Sequence, residues 1–458
     1  MQKLFKKLLP LISLSFLIGI GCRKQDQFIA RQNASALSPD AKAQAEAQNG
    51  AVRFDSYIAQ SWYSLVMKLI IETPGHTPPI AARSFGYTGV TLYEALIGEM
   101  RNHHSLVGQL NGLNSIPQRA YGNSYLAPIT ANAALARIVK NLFQNASAAN
   151  LTRIDLLESS NEKLYSKQTS QQIINRSRDY GRTVADAVFN WSLTDEGNHA
   201  YANIFPSDYI LPVGVDKWIP TPPLYQSPML PYWGNNRPMV LADDAGPIDP
   251  PDPPVFSTAA SSPFYSAAHE VYNTSLHLTS EQKTIALYWA DGGSTFTPPG
   301  HNIAVALQMI RNHHFNLNEA AILLAKVGIA ENDAAIVCWR AKYIFNLLRP
   351  VTFIRRYIDH SWTSLIGTPP FPTYISGHST FSGAAASILS AEIGNQISFT
   401  DSSKIADGFS PRSFHNFNEY AQEAAISRLY GGIHYRFDNE NGFNCGQQIA
   451  MNVEHLNW

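Results

Sequence analysis

Residues 317–348 read LNEAAILLAKVGIAENDAAIVCWRAKYIFNLL, and this stretch decides the fold class. Apolar side chains recur at three- and four-residue spacing along it, which predicts one long helix over 317–348. Trp339, Ile344, Phe345, Leu347 and Leu348 make its last turns mostly buried. Working outward, the same spacing predicts helices over 280–289, 302–312, 379–393 and 419–429 on this side of the chain. In the first half it predicts them over 56–71, 80–100, 130–143, 151–165 and 171–189. Prolines and Asn/Gly clusters punctuate these segments, and strand-like alternation is scarce. The expected class is all-α, built as packed helical bundles with long proline-rich loops.

The N-terminus reads as an export signal over 1–21. Lys3, Lys6 and Lys7 form a basic head, and an apolar run follows from Leu8 to Ile20. At about 13 residues the run is too short to span a bilayer as a permanent helix. Small residues then lead to Cys22, a position that resembles the lipid-attachment cysteine of a bacterial lipoprotein. The expectation is export to the cell envelope with the lipid on Cys22. Residues 22–50 are rich in Gln, Ala, Ser and Asn and bury too little to fold, so they read as a tether. The remainder, 51–458, is a single helical domain with an N-terminal half over 51–210, a proline-rich loop over 211–257 and a C-terminal half over 258–458. The loop either packs over a cleft or links two domains; Trp218, Tyr225, Tyr232 and Trp233 favour packing.

Acidic and basic residues nearly balance over the whole chain, at 35 against 34. Losing the lysine-bearing leader leaves a mildly acidic protein, which disfavours a nucleic-acid partner. Beyond Cys22 only Cys338 and Cys445 remain, with no Cys-x-x-Cys spacing. Two cysteines make no disulfide framework, and both read as buried small residues, with a single Cys338–Cys445 pair in an oxidising envelope compartment as the alternative. Arg101-Asn102-His103-His104 recurs as Arg311-Asn312-His313-His314, each closing an apolar helix. Adjacent histidines face apart and cannot chelate at i, i+4, so they read as helix-end charges.

Chemistry concentrates in three short motifs of the last quarter. Lys342 and Arg349-Pro350 are the first, Ser376-Gly377-His378 the second, and Ser427-Arg428 with His434 and Asp438 the third. On one helix, Lys342 and Arg349 leave the same face about 10 Å apart along the axis, with Pro350 ending that helix. Buried cations need a counter-ion. Ser376-Gly377 opens a helix, where backbone N–H groups and a hydroxyl can face an anion, and His378 sits beside that cradle as a proton donor. Gly431-Gly432 removes bulk before His434, and Asp438 fixes the tautomer of that histidine, leaving its other nitrogen free to attack phosphorus or ligate a metal. A tetrahedral or trigonal-bipyramidal oxyanion, phosphate or vanadate, is the ligand that needs such a set.

In order and spacing, the pattern Lys-x6-Arg-Pro, Ser-Gly-His, Ser-Arg-x5-His-x3-Asp resembles the superfamily that unites vanadium-dependent haloperoxidases with type 2 phosphatidic acid phosphatases. The resemblance implies that Lys342, Arg349 and Arg428 neutralise one vanadate per chain, that Ser376 and the Gly377 amide hydrogen-bond it, that His378 is the acid–base residue and that His434 is the metal ligand. Trp339 and Phe371 match aromatic positions that line the halide side of haloperoxidase sites. Trp289-Ala290-Asp291-Gly292 and Thr297-Pro298-Pro299-Gly300-His301 are similar to a segment of bacterial haloperoxidase-like lipoproteins, in which the aspartate, here Asp291, positions the acid–base histidine. Ile375 stands where many relatives carry proline. The implied function is vanadate-dependent oxidation of halide, iodide or bromide first, by hydrogen peroxide, with a small organic molecule accepting the halogen. The alternative is a soluble acid phosphatase in which His434 becomes the phosphoryl acceptor.

Overall fold

The computed structural model describes residues 54–240 and 248–458. The signal at 1–21, Cys22 and the tether at 22–50 lie outside the described residues. Among these there are thirteen α-helices and one two-stranded hairpin. The first half holds α1 (Tyr57–Glu72), α2 (Pro78–Leu96), α3 (Ala127–Leu142), α4 (Ala148–Tyr165) and α5 (Gln171–Ser192). The second holds α6 (Pro263–Leu276), α7 (Ser280–Tyr288), α8 (Thr297–Asn312), α9 (Leu317–Phe345), α10 (Pro350–Tyr357) and α11 (Gly377–Ile393). The antiparallel strands β1 (Phe399–Asp401) and β2 (Arg412–Phe414) follow, then α12 (Phe417–Tyr430) and α13 (Arg436–Glu454). No described helix is long and apolar enough to cross a membrane.

Helix α9 is the axis. A capping box opens it, with the Asn316 side chain accepting from Glu319 N and the Glu319 carboxylate accepting from Asn316 N. From Leu317 to Lys342 almost every residue is buried, as expected of a helix covered on all sides. Helix α2 covers one face at close range, because a side chain at Gly328 would meet the Phe85 carbonyl and one at Gly89 the Leu324 carbonyl. Helices α11 and α13 cover the other face. The two halves therefore share a core.

The reading of 317–348 as one helix requires correction. The helix stops at Phe345, where Asn346 takes the left-handed conformation (φ 47°, ψ 37°) that asparagine tolerates. Arg349 is then extended (ψ 154°), as a residue before proline prefers. Pro350 opens α10 instead of ending α9. Lys342 and Arg349 thus reach the site from two elements, not from one helical face.

Three helices were not read from the sequence: α6, α10 and α13. The last carries Asn, Gly and Gln throughout (RFDNENGFNCGQQIAMNVE), a poor helix by propensity. Packing overrides propensity there, since the α11–α13 contact is built on glycines. A Cβ at Gly446 would overlap the Thr380 carbonyl and lie 2.7 Å from Ala384 N. Backbone cannot yield as a side chain does, so Gly446→Ala is expected to destabilise by about 1–3 kcal/mol. The check is a lower thermal midpoint than wild type, with Gly367→Ala, where a Cβ meets nothing within 4 Å, as the unaffected control.

The described parts of the 211–257 loop pack onto the C-terminal half. Trp218 is buried, and its N–H donates to the Asn346 carbonyl at 2.7 Å. Met229 N–H donates to the Pro370 carbonyl, and its own carbonyl accepts from Tyr343 Oη at 2.7 Å. Of the four loop aromatics, Trp218 and Trp233 are buried while Tyr225 and Tyr232 stay exposed. Cys338 and Cys445 are both buried and free. The repeated Arg-Asn-His-His segments each contain a left-handed residue, Asn102 in one and His314 in the other.

Candidate functional site

The three motifs converge. Lys342 comes from the last turn of α9, Arg349 from the residue before α10, Ser376 and Gly377 from the start of α11, Arg428 from the last turn of α12, and His434 and Asp438 from the entry to α13. The α12–α13 connection folds back through Gly432 (φ +78°), a conformation glycine adopts without strain. Ser376 N–H donates to the Asp438 carbonyl at 3.0 Å, which ties the start of α11 to the start of α13. Gly377 is the first residue of α11, so its amide has no partner inside the helix and can face an anion.

His434 is held as the sequence implies, although it precedes α13 and does not share a helical face with Asp438. Its Nδ1 lies 2.9 Å from Asp438 Oδ2, which makes Nδ1 the protonated nitrogen and leaves the Nε2 lone pair pointing inward. Arg349 Nη1 donates to that Nε2 at 3.1 Å. Burial, with Arg349, Lys342 and Arg428 adding to it, drives the His434 pKa well below the ordinary value, so the ring is neutral. The same Asp438 oxygen also accepts from the Thr373 hydroxyl and from Tyr435 N–H. Thr373 was not read from the sequence; a lone threonine three residues before Ser376 carries no pattern of its own.

The cations differ in what they can offer. Lys342 Nζ donates to the carbonyls of Pro372, Thr373 and Ile375, at 3.0, 2.9 and 2.5 Å. An ammonium has three protons, so in this arrangement Lys342 acts on the site through charge. Arg349 spends Nε on the Phe371 carbonyl and Nη1 on the Ile433 carbonyl, while its Nη2 has no partner. Arg428 gives Nη1 to the Trp289 carbonyl at 2.6 Å, and its Nε has no partner. Burial lowers the pKa of Arg349 to about 10 and of Arg428 to about 9, and both remain charged at neutral pH.

His378 contributes a third orphan. Its Nε2 is buried without a partner, while the ring makes a backbone hydrogen bond with Trp289. Nδ1 must be the nitrogen engaged there. Burial, then the Arg428 charge, pushes its pKa well below the ordinary value. Asp291 does not hydrogen-bond His378, contrary to the simplest form of the expectation. Its carboxylate lies 2.8 Å from His301 Nδ1 and 2.8 Å from Lys404 Nζ, and it acts on His378 through charge alone.

Phe371 and Trp339 form the apolar wall, with ring centroids 5.0 Å apart. Lys342 Nζ and Arg349 Cζ each sit 5.0 Å from the Phe371 ring centre, so the aromatic face is bracketed by two cations. Arg349, Arg428 and Lys342 thus surround a neutral histidine with Asp438 on their side; burial draws the pKa of Lys342 down to about 7 and lifts that of Asp438 to about 7, while the three carbonyls on Lys342 Nζ favour its ammonium form. Three nitrogens, from Arg349, Arg428 and His378, have no partner. Buried donors left unpaired are costly, and one small oxyanion with several acceptor oxygens satisfies those of Arg349 and Arg428 at once, while the neutral His378 Nε2 is left to accept a proton beside it. Vanadate fits this set, because His434 Nε2 offers a neutral lone pair where the cations converge.

Residues 322–457 match the family model for the second helical-bundle domain of vanadium chloroperoxidase. The chain is similar to the vanadium chloroperoxidase of Curvularia inaequalis, 29% identical over 220 residues, covering 34% of this chain and 36% of that protein. It is 34% identical over 108 residues to the vanadium-dependent bromoperoxidase of Ascophyllum nodosum, covering 19% of this chain and 18% of that one. These matches span well under half the length of either relative. The likeness to the crystal structure of a bacterial vanadium-dependent iodoperoxidase runs nearly end to end, with 32% identity, a TM-score of 0.80, and coverage of 89% of this chain and 98% of that one. A bacterial vanadium-dependent chloroperoxidase shares the fold at 15% identity, with a TM-score of 0.68.

Proposed function

The chain belongs to the family of vanadium-dependent haloperoxidases, and from that premise we propose that it binds one vanadate and uses hydrogen peroxide to oxidise iodide, and bromide more slowly, to a hypohalous acid or an equivalent halogenating species. The observation that carries this reading is the trio of buried, unpartnered nitrogens around the neutral His434. Vanadate held there supplies a Lewis-acidic centre that makes peroxide electrophilic toward halide while vanadium keeps its oxidation state.

The residues divide the work as follows. Asp438, itself held by Thr373 and Tyr435 N–H, keeps His434 in the tautomer whose Nε2 can ligate. Arg349 and Arg428 would hold a bound oxyanion with their free N–H groups, together with the Gly377 amide and Ser376 hydroxyl at the start of α11. Lys342 adds charge beside the Phe371 face. His378, neutral and with Nε2 free, takes a proton from incoming peroxide and returns one to the departing oxygen. Trp339 and Phe371 give halide a small, partly apolar recess that suits a weakly hydrated anion. Iodide stands first because the similarity to the bacterial iodoperoxidase reaches 32% identity over 89% of this chain.

The expected assay result is peroxide-dependent iodide oxidation after loading with orthovanadate, with bromide slower. Apo protein should turn over a phosphomonoester such as p-nitrophenyl phosphate only slowly, and vanadate should abolish that activity by taking the same site. Fast phosphomonoester turnover without halide oxidation would replace this reading with the phosphatase one.

The sequence at the N-terminus supports a further part of the proposal. A lipid on Cys22 would tether the enzyme to an envelope membrane through the segment 23–50, since two or more acyl chains on one residue give durable attachment. Cys22→Ser is expected to move the protein from the membrane to the supernatant fraction. Membrane retention of that variant would place the anchor elsewhere.

A further inference from the structure

Behind His378 lies a second buried ionic cluster that the halide chemistry does not use directly. His301 is fully buried, with Nδ1 2.8 Å from Asp291 Oδ2 and Nε2 2.8 Å from Asp401 Oδ2. A ring that faces an acceptor-only carboxylate at both nitrogens must carry both protons. Tyr288 Oη donates to the same Asp401 oxygen at 2.7 Å, and Lys404 ties the other oxygen of Asp291 at 2.8 Å and Asp407 at 3.0 Å. The cluster is assembled from the end of α7, the α7–α8 connection, α8 and the segment from β1 onward.

Trp289 joins this cluster to the site. Its ring stacks on His301, with centroids 4.6 Å apart and planes at 22°, and meets the Tyr420 edge at 4.8 Å. Its indole N–H donates to Glu423 at 2.9 Å. Its main-chain carbonyl takes Arg428 Nη1 at 2.6 Å and is the backbone partner that leaves His378 Nε2 free. The residue is therefore fixed at its ring by His301 and Glu423 and presents its carbonyl to Arg428 and His378.

We infer that His301 is a positioning residue, a doubly hydrogen-bonded imidazolium that clamps Trp289 so that the Trp289 carbonyl selects the Nδ1–H tautomer of His378 and orients Arg428. The inference rests on the reading of His378 as the proton-exchanging group. Burial alone would lower the His301 pKa, but the two aspartates outweigh it and hold it up at about 9. The charged and titratable groups facing the ring are Asp291, Asp401, Tyr288 and Tyr420, with Lys404 behind Asp291 and His378 beyond Trp289. Because the folded pKa exceeds the ordinary 6.5, the clamp is complete below that value and is lost as pH rises through about 9.

The test uses the full protein with histidine labelled by nitrogen-15. In the wild type, His301 should keep both ring protons up to about pH 9 and His378 should show a single Nδ1–H tautomer, in the absence of vanadate as well. His301→Gln cannot serve both aspartates with donors. It should give a mixed His378 tautomer and, when loaded with vanadate, a kcat lower by about 10–100-fold with an unchanged halide KM. Asp401→Asn keeps an acceptor but removes one charge, so its activity should match wild type at acidic pH and fail at a lower pH on the alkaline side. A wild-type His301 that titrates near 6.5 overturns the inference. So does a His301→Gln protein with an intact His378 tautomer and kcat. If His301→Gln does not fold, the Asp401→Asn pH profile decides, and an unshifted alkaline limb counts against the clamp. Absence of halide oxidation in the wild type would defeat the proposed function while leaving the resonance result standing.

Discussion

His434→Ala protein, mixed with orthovanadate and passed through a desalting column, is expected to emerge without vanadium. The wild type should retain about one per chain. Nε2 of His434 is the lone pair that Asp438 aims into the cradle, where Arg349 and Arg428 supply donors, Lys342 supplies charge, and none of the three offers a ligand atom. The loss in affinity should exceed the roughly 10–100-fold that outer-shell changes cost at metal sites. The fold should survive, because the shortened side chain leaves Asp438 its bonds from Thr373 and from Tyr435 N–H. Unchanged helical circular dichroism beside lost vanadium separates a missing ligand from a missing protein. Retention of stoichiometric vanadium would move the ligand to another residue.

Arg349→Gln should be the next most damaging change. The guanidinium spans the Phe371 carbonyl, the Ile433 carbonyl and His434 Nε2, and keeps Nη2 free for the anion. Glutamine has too few donors and no charge. Each charge-assisted hydrogen bond is worth about 1.5–3 kcal/mol, so losing those to the anion predicts vanadate binding weaker by about a hundredfold or more. Equilibrium dialysis reads that change directly. Arg349→Lys should rescue only part of it, because a point charge cannot reproduce the planar fork. Full rescue by lysine would mean that charge alone, and not the fork, holds the anion.

Much of this was legible in the sequence because the motif spacing survives any reading of secondary structure. Lys342, Arg349, Ser376, Arg428 and His434 meet in the fold although the helix drawn through Lys342 and Arg349 was wrong. The error has a local cause. Apolar periodicity continues through Leu347 and Leu348, so nothing in the pattern marks Asn346 as a left-handed stop, and Pro350 reads equally well as an end or a beginning. Helix α13 was hidden for the opposite reason, since its asparagines and glycines argue against a helix that only contact with α11 makes favourable.

The environment of Asp291 was less legible. The resemblance points to an aspartate near the acid–base histidine. Its partners, however, come from 10 residues onward (His301) and 113 residues onward (Lys404). Asp401, the second carboxylate on His301, arrives on a three-residue strand too short for periodicity to reveal. Thr373 and the Trp289 carbonyl are similarly invisible to composition, because their roles arise from where the backbone turns.

By the function proposed above, this cradle turns one bound vanadate into a halide-oxidising centre. Titrating the vanadate-free protein with orthovanadate, and measuring peroxide-dependent iodide oxidation after each addition, tests it most directly. The expected trace shows no activity at the start, a linear rise and a sharp plateau at about one vanadate per chain, with inorganic phosphate competing for the same site. Activity that is present without vanadate, or a trace that stays flat past several equivalents, would contradict it.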